Sequence, residues 1–300
     1  MAIKQLKTLW ASVALALAVG GCAAPAVEAK PRAPRPALWK VSDADTTIYL
    51  FGTIHLLPEG QGWRSPALEK ALAGSDELVL EIANIDDQMA SAQAMAKLGM
   101  SPNLPPFRER VPEAKRATLD AMIAESGLPA AVFDRLETWA GALPLLGVTF
   151  KRLGLDPSSG VETTLTEGWK KSGKPVRGLE TIEEQLGFFD TMPEAEQRAF
   201  LEGVLEPSGA AAKQFAAMLD AWAKGDEAAL NRAFADEQNL TPALRQVLLT
   251  RRNARWADWL DKRMDQPGTV FVAVGAGHLA GPDKVQAFLK KHGHKAKRVQ

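Results

Sequence analysis

Two segments more than 200 residues apart share one local pattern, and it limits the folds open to the chain. Ile48-Tyr-Leu-Phe51 runs into Gly52-Thr-Ile-His55, and Val270-Phe-Val-Ala-Val274 into Gly275-Ala-Gly-His278. Each is a short apolar, β-rich run that ends in glycine, with histidine three residues further on. Two more runs of strand length, Glu77-Leu-Val-Leu-Glu-Ile82 and Pro175-Val-Arg-Gly-Leu-Glu180, lie between them. Short, nearly continuous apolar runs are typical of strands buried on both faces of a parallel sheet. Helical patterns separate these runs, which gives the same reading. The expected class is α/β, with a mainly parallel sheet core built from both ends of the chain and large helical insertions between strands.

The remaining punctuation fits that frame. Trp39-Lys-Val41 and Thr47–Phe51 flank Ser-Asp-Ala-Asp, which predicts a hairpin. Ser65-Pro66 opens a short helix to Ala73, with proline at its first position. Residues 86–155 are helical, with breaks at Gly99–Pro106, Pro112 and Gly127–Pro129. Within them, Trp139–Phe150 is the most apolar stretch of the mature chain, but at 12 residues with Pro144 inside it reads as a buried helix. Ser158–Gly160 opens another helix that ends near Gly173. Thr181 with Glu184 forms a capping box. Residues 182–265 are helical again, broken near 193, 207, 225 and 242. Pro282–His292 predicts a last helix, and Ala296–Val299 a last strand.

The N-terminus is an address rather than part of the fold. Lys4 and Lys7 precede the apolar run Leu9–Val19, which has the length of a signal-peptide core. The run ends in Val19-Gly20-Gly21-Cys22, which resembles a bacterial lipobox with the chain's only cysteine in the lipidated position. That resemblance implies a signal over residues 1–22 and a membrane anchor through Cys22. Ala23 after the cysteine implies the outer membrane, facing the periplasm, as in similar Gram-negative lipoproteins. An ordinary signal cleaved after Ala24, Ala26 or Ala29 is the other reading. Residues 23–36 are Ala, Pro and charge, and predict an extended tether to a domain over 37–300. One cysteine excludes an internal disulfide framework. Lys+Arg and Asp+Glu balance at 36 each, which argues against a nucleic-acid partner.

Chemistry is expected where the parallel strands end, because ligands of open α/β sheets bind outside those ends. His55, Glu81, Glu180 and His278 all fall there. Two imidazoles and a carboxylate are a sufficient set for a divalent metal and leave positions for water. Gly52, Gly275 and Gly277 would let the backbone turn sharply and approach a ligand. Each residue also has a plainer reading. Either histidine could be a hydrogen-bonded strand-end group. Glu81 could be half of a salt bridge, and Glu180 could cap the following helix. Glu162 lies in a helix's first turn, where an acid is favoured anyway. Arg252 could stabilise an oxyanion or simply pair with an acid, with Asn253 beside it. Thr53 could orient a water or pack. Trp256 and Trp259 read as core, and His292 and His294 as solvated surface. There is no His-Glu-x-x-His, Walker A, Rossmann or Gly-x-Ser-x-Gly motif, and no cysteine for catalysis.

Several of these segments together resemble the TraB/PrgY/GumN family. They are Ala37–Val41, Ile48–Leu57, Gly160-Val-Glu162, Gly173–Leu186, Arg252-Asn-Ala-Arg-Trp256 and Phe271–Pro282. The family is similar to the Tiki-type metalloproteases and lies near the erythromycin-esterase and ChaN-like group. The resemblance implies a divalent ion such as Mn, Co or Zn on His55, Glu81 and His278. Glu180 or Glu81 would act as base, Arg252 would stabilise the oxyanion, and Thr53, Glu162, Asn253 and the three glycines would support them. The implied activity is metal-dependent hydrolysis of a peptide or protein by a lipid-anchored envelope enzyme. The competing expectations are a non-catalytic periplasmic lipoprotein that binds haem, a metal or a signalling peptide, and an envelope scaffold in which the strand-end polar groups satisfy each other.

Overall fold

The computed structural model describes residues 34–300 apart from 85–86, 102, 207 and 236–241. The signal, Cys22 and the tether up to residue 33 lie outside the described residues. Among the described residues there are eight strands: β1 (Leu38–Ser42), β2 (Thr46–Thr53), β3 (Leu57–Pro58), β4 (Glu77–Ile82), β5 (Leu155–Asp156), β6 (Val176–Glu180), β7 (Gly268–Gly275) and β8 (Lys297–Arg298). Six form one sheet in the order β6-β4-β7-β2-β1-β8, and β3 pairs with β5 in a small separate ribbon. β2–β7, β7–β4 and β4–β6 are parallel, while β1 is antiparallel to β2 and β8. The fold is α/β, as expected.

The predicted hairpin is β1–β2. Asp43 Oδ1 accepts the amide N–H of Asp45 at 3.2 Å and of Thr46 at 2.8 Å, which closes the turn locally. Arg35 and Pro36, at the end of the expected tether, are hydrogen-bonded to the domain: Arg35 N donates to Ala223 O at 2.7 Å and Pro36 O accepts from Gln300 Nε2 at 2.7 Å.

Alternation along the central strands covers both faces of the sheet. Phe271 and Ala273 of β7 face one way, with Phe51, Leu78 and Leu80, under Leu68, Leu165 and Trp222. Val270, Val272 and Val274 face the other, with Ile48, Leu50 and Val79, under Trp256, Leu260 and Leu289. The two insertions share a further core, in which Phe107, Leu119, Phe133 and Leu145 of the first meet Leu201 and Val204 of the second. The stretch read as a buried helix is Thr138–Arg152, with Pro144 inside it. No helix among the described residues is long and apolar enough to cross a membrane.

Two boundaries differ from the sequence reading. The helix expected from Pro282 begins at Val285, because Asp283 is held elsewhere by Arg245 (2.6 Å) and by the Thr250 hydroxyl. The second insertion does not end as part of the helical lobe: its last helix, Arg251–Met264, packs on the sheet.

Candidate functional site

Strand register brings the two Gly-x-x-His segments side by side. β2 and β7 are parallel neighbours with Thr53 opposite Gly275, so His55 and His278 leave the same edge of the sheet. Glu81 of β4 and Glu180 of β6 end at that edge too, on the other side of β7. Four residues from distant parts of the sequence thus share one edge of the sheet.

The three proposed ligands meet at Gly275. A Cβ placed there would lie 3.1 Å from Glu81 Oε1, 3.4 Å from His55 Nε2 and 3.6 Å from His278 Cδ2. Gly275 N donates to Glu81 Oε1 at 2.7 Å. His278 Nε2 is 3.7 Å from the same oxygen. Glycine is needed here for close approach and not for a sharp turn, since φ is −48°. The expectation of turning glycines also fails at Gly52 and Gly277, neither of which has positive φ. A Cβ on Gly52 would meet Ala276 Cα at 3.1 Å, and one on Gly277 the Phe234 ring at 3.2 Å. Both are packing constraints.

Each histidine is fixed through Nδ1. His55 Nδ1 lies 2.6 Å from Glu162 Oε1, which also accepts from the Thr53 hydroxyl. His278 Nδ1 lies 2.6 Å from Asn253 Oδ1. Asn253 Nδ2 donates to Asp283 O at 2.8 Å, which fixes the amide orientation and makes Oδ1 the acceptor. Nδ1 of His278 is therefore the protonated nitrogen, and Nε2 carries the lone pair. An imidazole held by an acceptor at one nitrogen with the other turned to the site is the usual arrangement of a metal ligand.

Arg252 occupies the centre. Helix Arg251–Met264 delivers it directly after a π-helical turn, Gln246–Thr250, which the sequence reading missed. Nη2 donates to Glu81 Oε2 at 2.5 Å and to Glu180 Oε2 at 2.8 Å. Nε donates to Glu180 at 3.0 Å, and Nη1 to Leu248 O at 3.0 Å and His278 Nε2 at 3.1 Å. Of the two sequence readings of this arginine, the ion pair is the one present in the structure.

Glu180 is taken up entirely. Its side chain has 0% exposure and accepts from Arg252, Arg255, Trp256 Nε1 (3.0 Å) and Gln185 Nε2 (3.3 Å). It does not cap the next helix; Thr181 and Glu184 do so as a capping box. Gln185 and Arg255 were not foreseen as part of the site. Their signal was spacing alone, since Gln185 lies one turn into the capped helix and Arg255 one turn after Arg252.

These contacts set the charges. Glu162 beside His55 raises its pKa to about 9. Burial pushes His278 down to about 3, so its ring is neutral at neutral pH. Burial also pushes Glu81 up, but His278, Arg252 and His55 outweigh it and hold the carboxyl well below its ordinary range. Burial disfavours the Arg252 cation, and Glu81 and Glu180 more than compensate. His292 and His294 take no part; they pair with Asp258 (2.9 Å) and Asp261 (2.8 Å). Among the described residues no group of three or more His, Cys, Asp or Glu side chains is arranged to hold a metal ion. The donor types nonetheless suit one: an ionised carboxylate and two anchored histidines come together beside Gly275, and His55 would bind an ion only on giving up the proton that Glu162 favours.

Sheet order, the paired Gly-x-x-His segments and the buried carboxylates define one class, and comparison with known proteins identifies it. The TraB/PrgY/gumN family model matches residues 37–298, and the chain belongs to that family. An uncharacterized protein of Treponema pallidum (strain Nichols) is 20% identical over 274 residues, which cover 84% of this chain and 80% of that protein. No solved structure is significantly similar to the chain.

Proposed function

We propose that the chain is a metal-dependent hydrolase of the cell envelope, anchored by lipid on Cys22 at the outer membrane, facing the periplasm, and acting on a peptide bond. One observation carries the reading: His55 Nε2, Glu81 Oε1 and the His278 ring all lie within 3.6 Å of the point a Gly275 Cβ would occupy. His55, Glu81 and His278 are the residues that would hold a divalent ion, Mn, Co or Zn. Such an ion supplies Lewis acidity, acidifying a water and polarising a carbonyl.

The rest of the chemistry falls to the protein. Asn253 keeps the proton of His278 on Nδ1, and Glu162 turns His55 through its Nδ1. Glu180 accepts from four side chains, so its part in this reading is to hold Arg252. Glu162 accepts from both His55 Nδ1 and the Thr53 hydroxyl, so its part in this reading is to orient His55. The peptide assignment draws on the resemblance of the two Gly-x-x-His motifs to the Tiki-type metalloproteases.

The test is cleavage of casein and of a mixed peptide library, with and without chelator. Metal-dependent cleavage, slowed about 10-fold to 100-fold in Glu162→Gln, is expected for loss of the partner that orients a ligand. No cleavage under any metal, together with a Soret band on adding haem, would favour a binding protein instead.

A further inference from the structure

Arg252 stands where a cation is wanted. We propose that its guanidinium is a resident counter-ion on the His278 Nε2 lone pair, which a divalent metal must displace, so that Arg252 sets how tightly the site holds metal. The inference rests on the metal site proposed above.

A guanidinium has donors only, so the 3.1 Å contact from Nη1 uses the lone pair of Nε2. That lone pair is the one a metal on His278 requires, and the two occupants exclude each other. Nη2 of the same group donates to Glu81 Oε2 at 2.5 Å, so one cation touches two of the three proposed ligands. Its charge balances two buried carboxylates that would otherwise attract a divalent ion strongly.

The guanidinium can lose the His278 contact and still stay paired. Nε and Nη2 remain on Glu180, at 3.0 and 2.8 Å, when Nη1 leaves His278. Nη1 itself keeps Leu248 O at 3.0 Å. Leu248 lies in the π-helical turn, a departure from α register of the kind often found at functional sites. The rings of Trp256 and Phe188 flank the guanidinium carbon, 4.7 and 5.5 Å from their centroids. Arg252 can thus yield one contact without becoming an unpaired buried charge.

The experiment titrates Co²⁺ into the full-length chain and follows the absorption of the bound ion. Arg252→Gln and Arg252→Lys are compared with wild type, and His278→Ala supplies the background. Arg252→Gln should bind roughly tenfold or more tightly than wild type, within the ordinary span of such couplings, and Arg252→Lys should stay near wild type. Binding by Arg252→Gln that equals or falls below wild type would overturn the inference and leave the metal site standing. No binding above background in any protein would remove the metal site, and the inference with it. Should Arg252→Gln fail to fold, wild type alone decides. The ¹⁵N–¹⁵N coupling across Nη1–H···Nε2 should be present without Zn²⁺ and lost with it; a coupling that persists in the zinc-loaded protein contradicts displacement.

Discussion

Asn253 Oδ1 lies 2.6 Å from His278 Nδ1, and that contact determines which nitrogen of the ring faces the site. The carbonyl of Asp283 fixes the amide from behind, so the orientation is set by backbone geometry and does not depend on a flexible partner.

Asn253→Leu should therefore leave a buried N–H without an acceptor, at a cost of about 1–3 kcal/mol. Urea unfolding measures the loss. The ¹⁵N shifts of the His278 ring should move from one tautomer toward a mixture. Asn253→Asp keeps an acceptor and adds a charge, so it should restore the tautomer and raise the His278 pKa from about 3.

Glu162 governs the other histidine. Its charge raises the His55 pKa from 6.5 to about 9, so the folded state binds that proton more tightly than the unfolded chain does. The pair's contribution to stability is complete below pH 6.5 and is lost as pH rises through about 9. Glu162→Gln should lower the His55 pKa and remove this contribution to the pH dependence of unfolding. An NMR titration of His55, with urea unfolding at pH 6 and pH 10 (about one unit beyond each end of the window), checks both.

Glu180 is the structural anchor of the cluster. Glu180→Ala leaves Arg252 buried with three of its six hydrogen bonds gone, and should cost about 3–5 kcal/mol. Glu180→Gln, which retains acceptor capacity for Trp256 and one arginine, should cost less. Thermal and urea unfolding of the two variants should fall in that order, and equal, small losses would refute the anchoring role.

Gly275→Ala separates fold from function. The backbone at φ −48° accepts alanine, but the new methyl would lie 3.1 Å from Glu81 Oε1 and 3.4 Å from His55 Nε2. Circular dichroism and melting should change little, while metal uptake and hydrolysis drop by an order of magnitude or more, the scale expected when a site's supporting geometry is disturbed. Gly277→Ala presses on Phe234 rather than on the ligands, so its effect should fall on stability.

Much of this architecture could be read from the sequence, because strands buried on both faces leave unbroken apolar runs. β4 and the capping box of the helix after β6 appear where those patterns place them. The convergence of His55, Glu81, Glu180 and His278 followed from the rule that parallel strands end at one edge. The partners of those residues did not follow, because a carboxylate at a strand end looks the same whether it caps a helix, binds a metal or meets an arginine. Glu180 was open between site and cap, and only the helix carrying Arg252, Arg255 and Trp256 across the sheet decides it. The β3–β5 ribbon has two residues per strand, too few for any periodicity to show. The π-helical turn carries no composition of its own.

The most direct test of the central claim is metal content by mass spectrometry, on protein purified without a chelating tag and reconstituted in turn with Mn²⁺, Co²⁺ and Zn²⁺. Wild type should retain one of these ions at near-stoichiometric level, and both His55→Ala and His278→Ala should lose it while remaining folded. Folded wild type that retains none of the three would contradict a metal site shared by the two histidines and Glu81.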